Sequence, residues 1–472
     1  MMSQTSPGSE SLPGPSRPDP AGSGLRAHLA FATVLVATCA MVLESAAVSV
    51  ALPVIARDLS VSDAKATWVM GISQFIIVAL LLPMASLAET VGFRRFYLAM
   101  LLTFSIATIA CIAAPDFNSL VIARGLQSVG TAGAMSVSFA MARTIYADKE
   151  LGRSIGLLAT TVALASSGGP AISGVLLEYS GWRAVFALML GFSAVAYAGG
   201  QMLLPENRPS ERRFDLGSSV LVAATLSCLL YVLNGLANGW QVWSLALAGV
   251  AAASGFIVLH RVSSGKAGAV FPLDLLALPV FSLSILASIC VFAAQSLGFV
   301  LLPFYLLNGA GLSPIAMAAV LSIWPLTTAI LAPFLGWISD RTPAGPVGAA
   351  GLVIYAIGFF LLAALPSSAG AADIAVRLAL CGFGFAVFQT PNNRLVMLAA
   401  PRERSGAASG MISLARQLGR AAGTAMAAFA LAAVPDPGAL GMLNLAGGLA
   451  LLGALASFGR QWTATPGGRG HL

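Results

Sequence analysis

Residues Leu29–Val54 read LAFATVLVATCAMVLESAAVSVALPV, an apolar run whose single charge, Glu44, stands near its middle. About 20 apolar residues suffice to cross a bilayer as a helix. The run is too long for the core of a signal peptide, so it is expected to stay attached as a first membrane helix. Similar stretches recur almost to the C-terminus. Lipid cannot satisfy free backbone groups, so each stretch must be helical or part of a closed barrel. A barrel would need short alternating strands, and none are visible. Composition agrees: the 472 residues are 58% hydrophobic and 9% charged, whereas a soluble domain carries about 25% charged residues. The fold class is therefore an all-α membrane protein.

The pattern predicts fourteen spans, at 27–54, 66–88, 96–114, 118–142, 153–177, 184–204, 216–237, 241–260, 281–307, 313–337, 347–366, 371–399, 405–431 and 438–459. The first 24 residues are polar and rich in Pro, Ser and Gly, as a disordered tail would be. The net charge is +7, from 25 Lys+Arg against 18 Asp+Glu. With the N-terminus in the cytoplasm, 17 of those 25 basic residues fall in cytoplasmic segments and only Arg57, Lys65 and Arg183 fall outside. That bias sets the orientation and leaves both termini inside, in the inner (plasma) membrane. The positive charge is then topology and not a nucleic-acid surface. Trp68, Trp182, Trp240 and Trp243 fall at outer helix ends, where interface anchors belong.

The chain repeats itself weakly. Glu89 near the end of the second span matches Asp340 near the end of the tenth, where Asp340-Arg341 closes the span. Arg124 in the fourth span matches Arg377 in the twelfth, and Glu150 matches Glu403, all at nearly the same separation. Two homologous six-helix halves with substrate between them follow from this repeat. The separation exposes two extra central helices. The expected organisation is a cytoplasmic tail at 1–26, a six-helix bundle at 27–204, two inserted helices with their loops at 205–262, a second bundle at 263–460 and a tail at 461–472.

Several stretches together resemble one family. Leu43-Glu44 through Ala51-Leu52-Pro53 is similar to a first-helix motif ending in Ala-Leu-Pro. Glu89, Gly92, Arg94 and Arg95 resemble a loop motif between the second and third helices. Arg124, Gln127 and Gly130 resemble a fourth-helix motif, and Gly168-Gly169-Pro170 with Ser173-Gly174 resembles an antiporter motif of the fifth. These are motifs of the major facilitator superfamily, in its fourteen-helix drug:proton antiporter branch. The resemblance covers nearly everything from residue 27 to 460. This chain departs from it in having Glu44 in place of Asp, Phe93 in place of a basic residue, and Ser173 in place of Gly.

The resemblance and the residues support definite roles. A carboxylate inside a membrane helix costs about 3 kcal/mol, so it is rarely kept without use. Glu44 is the expected proton carrier, with a structural hydrogen-bonded Glu as the alternative. Arg124 cannot shed its proton and must find an acid, a carbonyl or water. It is expected to couple conformation to protonation with Gln127 beside it, unless it snorkels to the outer interface. Glu89, Gly92, Arg94 and Arg95 are expected to latch one conformation, as are Asp340 and Arg341 in the repeat. Gly169, Pro170 and Gly174 mark a bendable, tightly packed segment, because proline removes a backbone bond and small residues let helices touch. Gln389, Asn392 and Asn393 are candidate cavity groups, with interhelical packing an equal alternative, and Trp324 is a candidate cavity wall.

No enzyme constellation appears. His28, His260 and His471 lie near membrane ends or in a tail, and no Walker loop is present, so neither cofactor nor ATP-driven pumping is expected. Cys39, Cys111, Cys228, Cys290 and Cys381 fall inside apolar stretches without metal-ligand or disulfide spacing. The expected activity is proton-driven export of hydrophobic or cationic small molecules by a monomer in a lipid bilayer. The alternative is a dedicated exporter of one metabolite or self-made antibiotic. A non-transporting sensor with the same fold is disfavoured by Glu44 and Arg124. No metal or nucleic-acid partner is expected.

Overall fold

The computed structural model describes residues 24–146, 148–207, 214–237, 240–263, 271–339, 342, 344–366, 369–400, 405–433 and 438–463. Fourteen long helices follow one another along the described residues. They are α1 (Leu25–Asp58), α2 (Trp68–Val91), α3 (Phe93–Ala113), α4 (Phe117–Ile145), α5 (Asp148–Tyr179), α6 (Trp182–Leu203), α7 (Leu216–Ala237) and α8 (Val242–Ser263), then α9 (Pro279–Phe304), α10 (Pro314–Ser339), α11 (Ala344–Ala363), α12 (Ala371–Ala399), α13 (Ser405–Ala433) and α14 (Leu443–Thr463). No strand occurs among the described residues. Among the described residues, twelve spans are long and apolar enough to cross a membrane. The other two helices, α4 and α13, carry Arg124 and the pair Arg416 and Arg420 in mid-helix. The protein is a multi-pass integral membrane protein.

Helix boundaries follow local chemistry. Asp116 opens α4 with a capping box: its carboxylate accepts from the Ser119 N–H at 2.9 Å, and the Ser119 hydroxyl accepts from the Asp116 N–H at 3.3 Å. The Ser119 N–H holds the Asp116 carboxyl below its usual range, since it favours the charged form. Gly92 ends α2 at φ +97°, a conformation that favours glycine, and so turns the chain directly into α3.

The packing repeats between α1–α6 and α9–α14. In the first set α1 packs on α5 and α6, α4 packs on α2 and α3, and α3 packs on α6. In the second, α9 packs on α13 and α14, α12 on α10 and α11, and α11 on α14. The two halves meet where α5 packs on α10, where α2 packs on α13, and along α1 and α9. The inserted pair α7–α8 lies against the α2–α13 seam through α7. One apolar cluster joins both halves at the end of the molecule that holds Asp58, with Val48, Leu52 and Ile55 packed into the same core as Leu297, Leu301 and Leu321.

Trp240, just before α8, also docks on the first half. Trp240 stacks on Trp68 at 6.2 Å with ring planes 9° apart, and Tyr231 lies 4.8 Å from Trp240. Such aromatic pairs contribute about 0.5–1.5 kcal/mol beyond area burial. Trp240→Ala is therefore expected to lower the melting temperature by a few degrees, with transport intact because none of these rings lines the cavity described below. Scanning fluorimetry with a transport assay checks this, and an unchanged melting temperature would contradict it.

Candidate functional site

A narrow cavity lies between the halves, walled by α1, α2 and α4 on one side and α13 on the other. Glu44 and Arg124, each 3% exposed, meet in it as an ion pair between Glu44 Oε1 and Arg124 Nη1. Arg124 does not snorkel to the membrane surface. Its Nη1 also donates to Gln127 Oε1 at 2.5 Å and its Nε to the Val69 carbonyl at 3.3 Å, while its guanidinium stands 5.7 Å from the Phe186 ring centroid. Gln127 Nε2 in turn donates to Thr108 Oγ1 at 2.7 Å. The arginine is thus aimed by α2, α3 and α4 at a carboxylate on α1. Losing one partner of a buried ion pair costs about 3–5 kcal/mol when the other is left unmet, so this contact is a natural two-state element.

The repeat does not copy this chemistry. Arg377, the counterpart of Arg124, pairs with Asp373 one turn earlier on α12, with Nε to Oδ1 at 3.0 Å and Nη2 to Oδ2 at 2.8 Å. Helix α9 contains no acid. The membrane-buried acid–base pair therefore belongs to the first half alone among the described residues.

The glycine–proline segment of α5 is wedged between two helices. A Cβ on Gly169 would lie 2.7 Å from Ala46 Cβ and 3.2 Å from the Leu43 carbonyl, so α5 touches α1 one residue from Glu44. Ser173 donates to the Ala47 carbonyl at 3.0 Å, and Pro170 is buried between them. Gly174 faces the other half. A Cβ there would lie 2.9 Å from the Pro314 carbonyl of α10 and closer still to Ala318 Cβ. A second inter-half contact closes the same end. Asn308, in the turn after α9, accepts from Arg57 Nη2 at 2.5 Å and donates to Asp63 Oδ2 at 3.3 Å. Such an exposed bridge is worth about 1 kcal/mol, or about fivefold in a two-state population. Asn308→Ala is expected to raise the alkylation rate of a cysteine placed in this seam by about that factor, and an unchanged rate would contradict the bridge.

The remaining sequence-predicted residues are dispersed. Arg94 is tied to the end of its own half, with Nη1 3.1 Å from Glu206 Oε1, Nη2 donating to the Gln201 carbonyl at 2.7 Å, and its backbone N–H donating to Asn207 Oδ1 at 3.0 Å. The turn at Gly92 swings the start of α3 beneath α6, which explains this choice of partner. Glu89 and Arg95 are exposed. Asp340 and Arg341 lie outside the described residues. Asn392 sits in a polar knot, donating to Ser288 Oγ at 2.8 Å and accepting from Arg460 Nη2 at 2.7 Å. Asn393 accepts from Arg416 Nη2 at 3.1 Å, and Gln389 is half-buried. Trp324 is 1% exposed in an aromatic core, 4.9 Å from Phe299 and 5.5 Å from Tyr355, and does not line this cavity.

Sequence reasoning missed the rest of the cavity wall. Ser73 and Gln74 come from α2, and Gln417 and Arg420 from α13. The Oε1 atoms of Gln74 and Gln417 are buried without a hydrogen-bond partner among the described residues. Arg416, Gln417 and Arg420 are spaced so that they share one side of α13. The rule that drew attention to Glu44, a charge inside a membrane helix, applies equally to Arg420.

Comparison with known proteins settles the family. The model of the Major Facilitator Superfamily matches residues 34–424. The chain belongs to the Major Facilitator Superfamily. It is 38% identical to the uncharacterized transporter YebQ of Escherichia coli (strain K12), over 91% of this chain and 94% of YebQ. It is 31% identical to the multidrug resistance protein Stp of Mycobacterium tuberculosis (strain ATCC 25618 / H37Rv), over 84% of this chain and 76% of Stp. The crystal structure of the POT family transporter PepTSo shares its fold, with a TM-score of 0.68 at 14% identity over 92% of this chain and 98% of that one. This superfamily member is a transporter of small molecules and not an enzyme.

Proposed function

We propose that this superfamily member moves one dedicated small molecule through the bilayer, coupled to protons at the Glu44–Arg124 pair, by alternating access between its halves. The observation that carries this reading is the make-up of the cavity. Nine of its fourteen lining residues are polar or charged. Small-molecule sites are ordinarily mostly apolar, with a few polar groups that fix orientation. A narrow cavity with nine polar or charged lining residues, a buried ion pair among them, selects by directional bonds, and a partner lacking the matching groups leaves buried polar atoms unmet. That is the behaviour of a dedicated carrier. Gly174, Asn308 and the apolar cluster are proposed to close the Asp58 end, which the positive-inside bias makes the outer end, with both termini in the cytoplasm.

A second reading is broad drug efflux by proton exchange, in the fourteen-helix antiporter branch. The name of Stp favours it, as do Met41, Met70 and Met135 in the cavity wall, since methionine adapts to varied shapes. A metabolite mixture offered to proteoliposomes under an imposed pH gradient, read by mass spectrometry, separates the two. Proton-dependent movement of one compound or one close series supports the first reading. Movement of many unrelated compounds supports the second, and indifference of every flux to the gradient would sink both.

A further inference from the structure

The cavity holds more positive charge than negative. Glu44, Arg124 and Arg420 line it, one carboxylate against two guanidiniums. Arg416, one turn before Arg420, adds a further cation: the two guanidiniums stand 5.5 and 5.6 Å from the same Phe292 ring centroid. A ring face attracts cations but carries no net charge. Arg416 has Asn393 as a partner. Arg420 makes no hydrogen bond or ion pair with another described residue, and it cannot shed its proton. Apart from Glu44, no acid among the described residues lines the cavity to answer it. Helix α2 contributes Ser73 and Gln74, and the middle turns of α5, α6 and α9 carry no carboxylate, imidazole or cation. The carboxamides of Gln74 and Gln417 offer both donors and acceptors, and Met41, Met70 and Met135 supply apolar wall.

We infer that the cargo is a small organic anion with an apolar body, held at its anionic group by Arg420 and Arg124, and that it loads together with a proton on Glu44. Arg124 is engaged by Glu44. An anion that takes Arg124 removes the cation from Glu44 and sets a second negative charge beside it. Like charges sharing a buried site disfavour each other, so the carboxylate binds a proton from solvent. Anion and proton then bind cooperatively, and each raises the affinity for the other by the same factor. A cation would do the reverse, competing with the proton for Glu44 against a positive wall. The inference rests on the reading that Glu44 couples cargo to protons, and it adds the charge of the cargo and the sense of the coupling.

The test uses the full chain in lipid nanodiscs with two probes of one aromatic body and opposite charge, naphthalene-2-sulfonate and 2-naphthylmethylammonium. Each keeps its charge across neutral pH, so any pH effect belongs to the protein. Calorimetry in two buffers of different ionisation enthalpy reads affinity and proton uptake together. Saturable sulfonate binding, with proton uptake and at least about tenfold tighter than the ammonium, is expected. Arg420→Gln should weaken the sulfonate about tenfold or more, Arg420→Lys should restore most of that loss, and Glu44→Gln should bind sulfonate without proton uptake. Size-exclusion profiles confirm that the variants are folded. No saturable sulfonate binding, ammonium binding at least as tight, or indifference to Arg420→Gln overturns the anion. Sulfonate binding without proton uptake in the wild type overturns the joint loading. The proton-coupling reading fails separately, if transport by the wild type ignores a pH gradient whichever probe binds.

Discussion

Glu44→Gln is expected to abolish uphill transport driven by a pH gradient while the protein reaches the membrane at near wild-type abundance. Glutamine keeps the size of glutamate and its ability to accept a hydrogen bond, but it does not titrate. Abundance is expected to survive because Arg124 retains the Gln127 carboxamide and the Val69 carbonyl, so its guanidinium is not left bare. One proton per cargo across a gradient of about one pH unit is worth about 1.4 kcal/mol, an accumulation of at most about tenfold. The wild type should approach that ratio in proteoliposomes, and Glu44→Gln should stay near equality while still allowing exchange down a gradient. Glu44→Asp should keep part of the coupling, as Asp is the residue usual in the antiporter branch that the chain resembles. Wild-type accumulation in Glu44→Gln would make the carboxylate structural. The coupling acid would then be sought near helix ends, at exposed Glu178 or at Asp215, which caps α7 through the Ser218 N–H at 2.9 Å.

Gly174→Leu should have the second large effect, on conformation. Even a methyl group at this position meets the Pro314 carbonyl at 2.9 Å and Ala318 Cβ more closely, so α5 and α10 cannot stay in register with any side chain between them. Overpacking of this kind costs about 1–3 kcal/mol, up to roughly a hundredfold in the balance between two states. The strain falls only on the arrangement in which the halves touch at this end, so the variant should favour the arrangement in which they part there. Spin labels on Tyr179→Cys and Ile315→Cys, both exposed and flanking the seam, in a background lacking the native cysteines, should move to longer separations. Turnover should fall by about tenfold or more. An unchanged distance distribution would show that the seam is not a gate. Pro170→Ala, which sits between the two contacts of α5, should alter turnover without reordering the preferred substrates.

The membrane fold was legible because a bilayer leaves few choices. An apolar run of sufficient length must be helical, and the fourteen expected spans reappear as α1–α14, twelve of them apolar enough by themselves to cross a membrane, the span at 371–399 with the same ends as α12 and the span at 216–237 with the same ends as α7. Where the two differ, polar residues at helix ends are the cause: α1 continues past the apolar run to Arg57 and Asp58, whose side chains are held by Asn308 and by Trp182 Nε1 at 2.7 Å. The Glu44–Arg124 pairing was half legible. Each residue announced itself as a buried charge, but their meeting depends on how α1 packs against α4, which no local pattern encodes. The α13 wall was not read at all. Arg416 and Arg420 were placed in or near the membrane and given no role, because a sequence does not say whether a basic residue in a membrane helix faces a cavity or the lipid headgroups. The partner of Arg94 was likewise a matter of tertiary placement, decided by the turn at Gly92.

The most direct test of the account is the infrared carboxyl signal of the reconstituted transporter, titrated with pH. Glu44 is the buried acid on which the proposed coupling rests, so a protonated-carboxyl stretch from the water-excluded interior should rise and fall with pH in the wild type. It should vanish in Glu44→Gln and titrate over a different range in Arg124→Gln, where the ion pair is lost. A titrating interior band that persists unchanged in Glu44→Gln would contradict the account, because the proton would then reside on another group.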